Sequence, residues 1–181
     1  MNKRSLTLIY SITILSIFTS CAVEEKRPNI LFVLADDQRN DVLSCEGHTI
    51  VLTPTIDGLA KNGVKFNNAF VTTSICAASR ASILTGLYES KHNYTFRKPP
   101  IVKEFINNSY PYLLKKSGYT TGFVGKLGVK LEQQDSSLYK MFDYYKLSPR
   151  NAPYFETLAD GSRRHSAEIK GDQAVEFIET Q

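Results

Sequence analysis

An unbroken apolar run at residues 30–35 constrains the fold of this chain more than any other feature of its sequence. Six residues are too few for a typical helix, and Asp36 and Asp37 end the run abruptly. A short run without polar alternation is typical of a strand that is buried on both faces, which is the usual situation in parallel sheets. The run therefore predicts an α/β protein.

Helical and strand patterns alternate after this run. Thr53 and Pro54 predict the start of a helix that Gly63 ends, and the apolar residues 64–71 predict the next strand. Since a strand, a helix and a strand in this order form the unit of a parallel sheet, the pattern supports the α/β class.

The alternation continues in the second half of the chain. We expect a helix from Ser109 to Gly118 and a third strand at residues 120–124. The sequence of residues 127–165 predicts an irregular excursion, meaning a segment without regular helices or strands. A helical pattern returns from Ser166. The whole pattern predicts an α/β/α sandwich with a mainly parallel central sheet that is incomplete in this chain.

Residues 1–20 predict a secretory signal peptide. Lys3 and Arg4 precede an apolar stretch that is too short to cross a bilayer, and small residues follow it. Cys21 then resembles the lipobox cysteine that is acylated as the first mature residue, which predicts a lipid anchor in the membrane and a periplasmic or cell-surface location. An ordinary signal peptide with an incidental cysteine is the alternative.

Charge and cysteine content exclude two other classes of protein. The net charge of +4 at pH 7 is small and no basic run is interleaved with aromatic residues, so we expect no nucleic-acid partner. Three cysteines, Cys21, Cys45 and Cys76, do not make a disulfide framework. A bridge between Cys45 and Cys76 is the alternative to a reactive Cys76.

Polar side chains follow the three predicted strands. Asp36 and Asp37 follow the first, Cys76 the second and Lys126 the third. Because ligands bind outside the carboxyl ends of parallel strands, we expect these side chains to meet at one edge of the sheet. Adjacent carboxylates suit a hard cation such as Ca²⁺ or Mg²⁺, although a turn or a helix cap also accounts for an Asp-Asp pair.

Cys76 precedes a run of helix-forming residues that Gly86 ends. The pattern predicts a thiol at a helix N-terminus, where free N–H groups and the helix dipole favour an anion such as a thiolate or a bound sulfate. A buried small side chain is the alternative interpretation of a lone cysteine.

The segment Cys76-Ala77-Ala78-Ser79-Arg80 resembles the signature Cys-x-Pro/Ala-x-Arg of the formylglycine-dependent sulfatases, a family of the alkaline phosphatase superfamily. Residues 27–39, 84–88 and 118–126 resemble three further motifs of that family, in the family order. The resemblance implies that residues 21–181 are the N-terminal portion of a sulfatase catalytic domain, truncated at the C-terminus.

The resemblance also implies a role for each residue that matches a motif. Cys76 is expected to be oxidised to formylglycine by a maturation enzyme, and to serve as nucleophile and metal ligand. Asp36 and Asp37 are expected to bind the divalent cation, usually Ca²⁺, with Mg²⁺ as the alternative. Arg80 is expected to hold the formylglycine, and Lys126 to bind the sulfate of a small molecule or glycan.

Two departures from the family pattern qualify these expectations. Gly128 stands where many relatives have His, and the alternative bases, His92 and His165, are predicted at surface or rim positions. The family's second pair of metal ligands, an Asp-Asn pair, does not occur before Gln181, so we expect this fragment to be inactive alone. A phosphate or phosphonate monoester hydrolase and an inactive glycan-binding surface lipoprotein are the alternative functions.

Overall fold

The computed structural model describes residues 27–96 and 98–181, so the predicted signal peptide and Cys21 lie outside the described residues. The chain divides into two compact units, residues 1–35 and residues 36–181. Within the described ranges, no helix combines the length and the apolar character that crossing a bilayer requires.

In the first unit, residues 27–35 carry no regular secondary structure. Their apolar side chains are exposed, Val33 to 79%. The strand predicted at residues 30–35 is therefore not formed. A parallel strand needs hydrogen-bonded neighbours at its edges and helices over its faces, and the described residues of this unit supply neither.

The second unit contains all the regular elements of the described chain. Its α-helices are Pro54–Asn62 (α1), Cys76–Thr85 (α2), Glu89–His92 (α3), Lys103–Ile106 (α4), Tyr110–Lys116 (α5), Gln134–Met141 (α6) and Ser166–Glu179 (α7), with a 3₁₀ turn at Ser44–Glu46. Its strands are Gly122–Gly125 (β1), Tyr144–Leu147 (β2), Phe155–Thr157 (β3) and Arg163–His165 (β4). The helices predicted from Thr53, Cys76, Ser109 and Ser166 are confirmed.

Strands β1 and β2 pair in parallel, with Gly122 opposite Tyr144 and Gly125 opposite Leu147. Helix α6 lies between them in the chain, so β1, α6 and β2 form a βαβ unit and confirm the α/β class. Strands β3 and β4 form an antiparallel pair. Strand β1 confirms the strand predicted at residues 120–124. Its parallel partner lies elsewhere than predicted, since residues 64–71 form no strand and residues 127–165, which contain β2, are not an irregular excursion.

Other elements pack against both faces of strand β1. A Cβ atom at Gly122 would lie 2.7 Å from the Phe177 ring of α7, so glycine lets this helix approach the strand closely. The next residue, Phe123, points to the opposite face, where its ring lies 5.3 Å from that of Phe142 and packs against the core. Helix, sheet and core therefore form successive layers at β1.

The hydrophobic core fixes the position of α2. Ala77, Ala81 and Leu84 recur at helical spacing and are buried, and the two alanines allow close packing of the helix against its neighbours. The other core residues are Tyr94, Ile101, Ile106, Leu127, Val129, Leu131, Leu138, Met141 and Phe142. Because one face of α2 is embedded in this core, polar side chains on its rim project from a rigid support.

Candidate functional site

Helix α2 positions two of the predicted site residues. It begins at Cys76, and Gly86 ends it in the left-handed conformation, as the sequence predicted. No side chain caps its amino end, where Ile75 is extended. Cys76 and Arg80 are four residues apart and share one face of the helix. Cys76 is a half-buried free thiol, and Cys45 is also free, so the alternative disulfide does not form.

The carboxylate of Asp36 lies between two cations. Lys126 Nζ donates to Asp36 Oδ2 at 2.6 Å, and Arg80 Nη2 donates to Asp36 Oδ1 at 3.1 Å. Each carboxylate oxygen therefore has its own cationic partner. The structure brings together three of the predicted residues, which come from segments far apart in the sequence.

Arg80 is held from a second direction by the main chain. Its Nη1 donates to the carbonyl oxygen of Lys126 at 2.6 Å. The Arg80 side chain is 12% exposed, compared with 36% for Asp36. A guanidinium that donates to both a carbonyl and a carboxylate is fixed in orientation as well as in position. Sequence reasoning missed the Lys126 carbonyl, because a main-chain oxygen carries no residue-type signal.

The two cations of the site stabilise the ionised form of the Asp36 carboxylate. The hydrogen bond from Lys126 and the one from Arg80 hold the pKa of Asp36 below its ordinary value, against the opposing effect of burial. The carboxylate is therefore ionised at neutral pH. Within this cluster of three side chains, two cations and one carboxylate leave one net positive charge, which favours an additional anion, and the neighbouring Asp37 carboxylate opposes this preference.

The other two predicted site residues are not bonded to this cluster. Among the described residues, the side chains of Asp37 and Cys76 make no hydrogen bond or ion pair with the side chains of Asp36, Arg80 or Lys126. No three His, Cys, Asp or Glu side chains of the described chain lie close enough to hold a metal ion. Carboxylates suit Ca²⁺ chemically, but Ca²⁺ takes about six to eight oxygen ligands, so the described residues do not form a complete cation site.

The two histidines considered as bases lie elsewhere. His92 is 3% exposed, so its predicted surface or rim position was wrong. Its Nδ1 accepts from the Tyr94 N–H at 3.0 Å, and its Nε2 lies 3.0 Å from Ser82 Oγ. His165 is half-buried, and its Nδ1 accepts from the Ala167 N–H at the start of α7. Both rings therefore have structural roles.

Comparison with known proteins gives consistent matches. The sequence model of the family described as Sulfatase matches residues 28–181. The chain is 29% identical over 194 residues to an N-acetylglucosamine-6-O-sulfatase of Bacteroides thetaiotaomicron, covering 99% of the chain and 33% of that protein. It is 42% identical over 117 residues to an ulvan-active sulfatase of Formosa agariphila, covering 62% of the chain and 22% of that protein. The chain thus spans a third or less of the length of these relatives.

Two solved structures are similar to this chain. One is a protein in complex with its substrate D-glucosamine-2-N,6-O-disulfate, with a TM-score of 0.69 and 26% identity over 86% of this chain and 32% of the other. The second is a phosphonate monoester hydrolase of Agrobacterium radiobacter, with a TM-score of 0.58 and 30% identity over 68% of this chain and 26% of the other. Both similarities agree with the α/β class.

Proposed function

Because this chain belongs to the sulfatase family, we propose that the full-length protein, meaning this chain with the further length that its relatives have, hydrolyses sulfate esters of carbohydrates. The carbohydrate sulfatases among its relatives support this substrate class. The observation that carries the proposal is the Asp36 carboxylate shared by Arg80 and Lys126. Two cations close enough to share one carboxylate are close enough to act on one sulfate group.

The proposed nucleophile is formylglycine, made from Cys76 by a maturation enzyme. Formylglycine supplies an aldehyde that adds water to give a geminal diol. One oxygen of the diol attacks sulfur and displaces the alcohol of the ester, and deprotonation of the other hydroxyl then expels sulfate as the aldehyde re-forms. Its place at the start of α2 supports this role, because no side chain caps that helix end and its N–H groups favour an anion.

Arg80 and Lys126 are proposed to stabilise the charge that develops on the sulfuryl oxygens. Arg80 lies one helical turn after Cys76 and is fixed by two acceptors, so it is oriented before substrate binds. Lys126 Nζ is held beside the same carboxylate. A preorganised pair of this kind stabilises the transition state without reorganising during the reaction.

A divalent cation is proposed to bind Asp36 and Asp37 in the full-length protein, with its remaining ligands outside this chain. Calcium is the expected ion and magnesium the alternative. Replacing either residue with Asn should reduce the calcium content measured on the purified protein. Unchanged calcium content in both variants would remove these two residues from the ligand set.

Sulfate release from an aryl sulfate tests the activity, and Lys126→Ala tests the site. Losing one preorganised charged group should lower turnover by roughly two to three orders of magnitude while calcium content stays unchanged. Lys61→Ala, an exposed lysine of α1, is the matched control and should retain full activity. Equal activities in the two variants would contradict the assigned role of Lys126.

Mass spectrometry of the peptide that contains Cys76 tests the nucleophile separately. Expression in a host with a maturation enzyme should convert the thiol to an aldehyde, and Cys76→Ala should abolish turnover. A protein that releases sulfate with an unmodified Cys76 thiol would contradict the formylglycine proposal.

The similarity to a phosphonate monoester hydrolase favours that reaction as the second candidate. The two candidates differ in the central atom of the ester, so turnover of matched aryl sulfate and aryl phosphonate substrates separates them. We expect the sulfate ester to be preferred. Binding of sulfated glycan without turnover of either ester would instead indicate an inactive surface protein.

We further propose export, with a lipid anchor on Cys21 at the periplasmic or cell surface. Metabolic labelling with a fatty acid should mark the protein, and Cys21→Ala should release it from the membrane fraction. Membrane association that survives this substitution would point to a different anchor.

A further inference from the structure

The side chain of Arg80 lies across the α carbon of Gly128. A Cβ atom built on Gly128 would come within 2.5 Å of Arg80 Cδ and 3.2 Å of Arg80 Nε. The first distance is far below a van der Waals contact, so a side chain at position 128 and Arg80 in its present position exclude each other. The backbone of Gly128 also has a φ of +72°, which favours glycine.

The loop that contains Gly128 cannot easily withdraw from Arg80. Leu127 and Val129, on either side of Gly128, are 9% and 8% exposed and belong to the hydrophobic core. Moving the loop would pull both side chains out of that core. A side chain at position 128 should therefore displace Arg80 rather than the loop.

The same loop also binds the far end of Arg80. The Lys126 carbonyl accepts from Nη1 at 2.6 Å, while the stem of the side chain passes over Gly128. From this position Nη2 reaches Asp36, which also binds the Lys126 ammonium. The distance between the Arg80 guanidinium and the Lys126 ammonium is thus set by how closely Arg80 can approach residues 126–128.

We propose that Gly128 is a positioning residue for sulfate: its missing Cβ lets Arg80 lie against residues 126–128 and so holds the guanidinium beside the Lys126 ammonium as a two-cation site. This inference rests on the proposed function.

The test compares Gly128→Ala with Gly161→Ala in the full-length protein. Gly161 has a φ of +82°, and a Cβ atom there would meet nothing within 4 Å, so this control imposes the same kind of backbone strain without the collision. Gly128→Ala should weaken the binding of inorganic sulfate, measured by calorimetry, by roughly tenfold or more. It should also lower kcat for an aryl sulfate more than it changes KM, whereas Gly161→Ala should change neither sulfate binding nor kinetics.

Two further measurements separate positioning from general damage. In an Arg80→Ala background, adding Gly128→Ala should weaken sulfate binding no further, because the colliding side chain is gone. A crystal structure of Gly128→Ala should show Arg80 moved away from the Lys126 carbonyl. Equal losses in both backgrounds, or Arg80 unmoved in that crystal structure, would overturn the proposal.

The outcome for Gly128 does not depend on catalysis. If the wild-type protein releases no sulfate from any ester, the proposed function fails. Sulfate affinity and the position of Arg80 in Gly128→Ala still decide whether residue 128 positions the guanidinium.

Discussion

At the scale of single residues, Arg80 makes contacts that lysine cannot reproduce. Its two terminal nitrogens donate in different directions, one to the Lys126 carbonyl and the other to the Asp36 carboxylate. The planar guanidinium presents these donors in a fixed arrangement, whereas an ammonium is a compact charge on a flexible stem. Charge alone therefore does not specify the residue at position 80.

Arg80→Lys should lower turnover of an aryl sulfate by roughly ten- to a hundredfold, because lysine retains the charge but loses one of the two anchoring contacts. Steady-state kinetics of the full-length protein measures the effect. Arg164→Lys is the matched control, since Arg164 pairs with Glu168 and Asp172 on an exposed surface. A loss of similar size in both variants would mean that the substitution acts through stability.

His92 gives the fold a pH dependence. Burial lowers the pKa of His92, which the nearby Glu89 only partly opposes, so the folded state favours the neutral ring. The unfolded ring titrates near pH 6.5, at about its ordinary value. The folded state therefore binds fewer protons, and stability should fall as the pH drops below about 6.5.

Thermal unfolding at pH 7.5 and pH 5.5 measures this loss. Protonating Nδ1 removes the acceptor of the buried Tyr94 N–H, and such an unpaired donor costs about 1–3 kcal/mol. His92→Asn keeps a short acceptor that does not titrate, so its melting temperature should change less between the two pH values. An unchanged pH dependence in His92→Asn would assign the effect to other groups.

At the scale of elements, helix ends with local signals were predictable, whereas only one of the three predicted strands, that at residues 120–124, is observed, as β1. Pro54 and Gly63 bound α1, and Gly86 ends α2, because proline and glycine restrict or permit backbone angles wherever they occur. The run at residues 30–35 has the composition of a buried strand, but a strand exists only with partners, which lie far away in sequence. Strand β2, with largely exposed side chains, carries no comparable apolar signal.

The candidate site was likewise predictable only where residues carry a local signal. Motif residues Asp36, Arg80 and Lys126 could be chosen from the sequence, since their chemistry and order carry the resemblance. Their hydrogen bonds to one another, and the passage of Arg80 over Gly128, depend on tertiary packing that no local pattern encodes.

The packing of α7 on β1 should fail when Gly122 gains a side chain. Gly122→Ala would place a Cβ atom 2.7 Å from the Phe177 ring, and overpacking of this kind costs about 1–3 kcal/mol. Gly171→Ala is the control in α7 itself, where a Cβ atom meets nothing, and it should stabilise the helix by about 0.5–1 kcal/mol. Chemical denaturation measures the free energy of unfolding of both variants. Changes of the same sign in the two variants would contradict the predicted collision between residue 122 and Phe177.

At the scale of the whole molecule, the described chain exposes large apolar side chains. In the second unit, Val64, Phe66 and Phe70 are between 77% and 89% exposed. Exposed apolar surface of this extent usually marks a surface that another segment or partner covers. Residues 64–71, which have a strand-like composition but form no strand, belong to this surface.

Residues 21–181 alone should therefore be poorly stable and release no sulfate, even with Cys76 oxidised and calcium in excess. The comparison is with the full-length protein, in thermal unfolding, binding of a dye that reports exposed apolar surface, and sulfate release. If residues 21–181 alone unfold cooperatively, are stabilised by calcium and release sulfate, the assignment of Asp36 and Asp37 as cation ligands is wrong.

The shared carboxylate of Asp36 also has a consequence for how the protein folds. Its two partners lie 44 and 90 residues away along the chain. Each contact closes a long loop, and doubling the length of a loop adds only about 0.6 kcal/mol to the entropic cost. Such distant contacts form after local helices have gathered, so we expect Asp36→Asn to accelerate unfolding more than it slows folding. The contacts of Asp36 with Arg80 and Lys126 would then form late in folding and be among the first to break during unfolding.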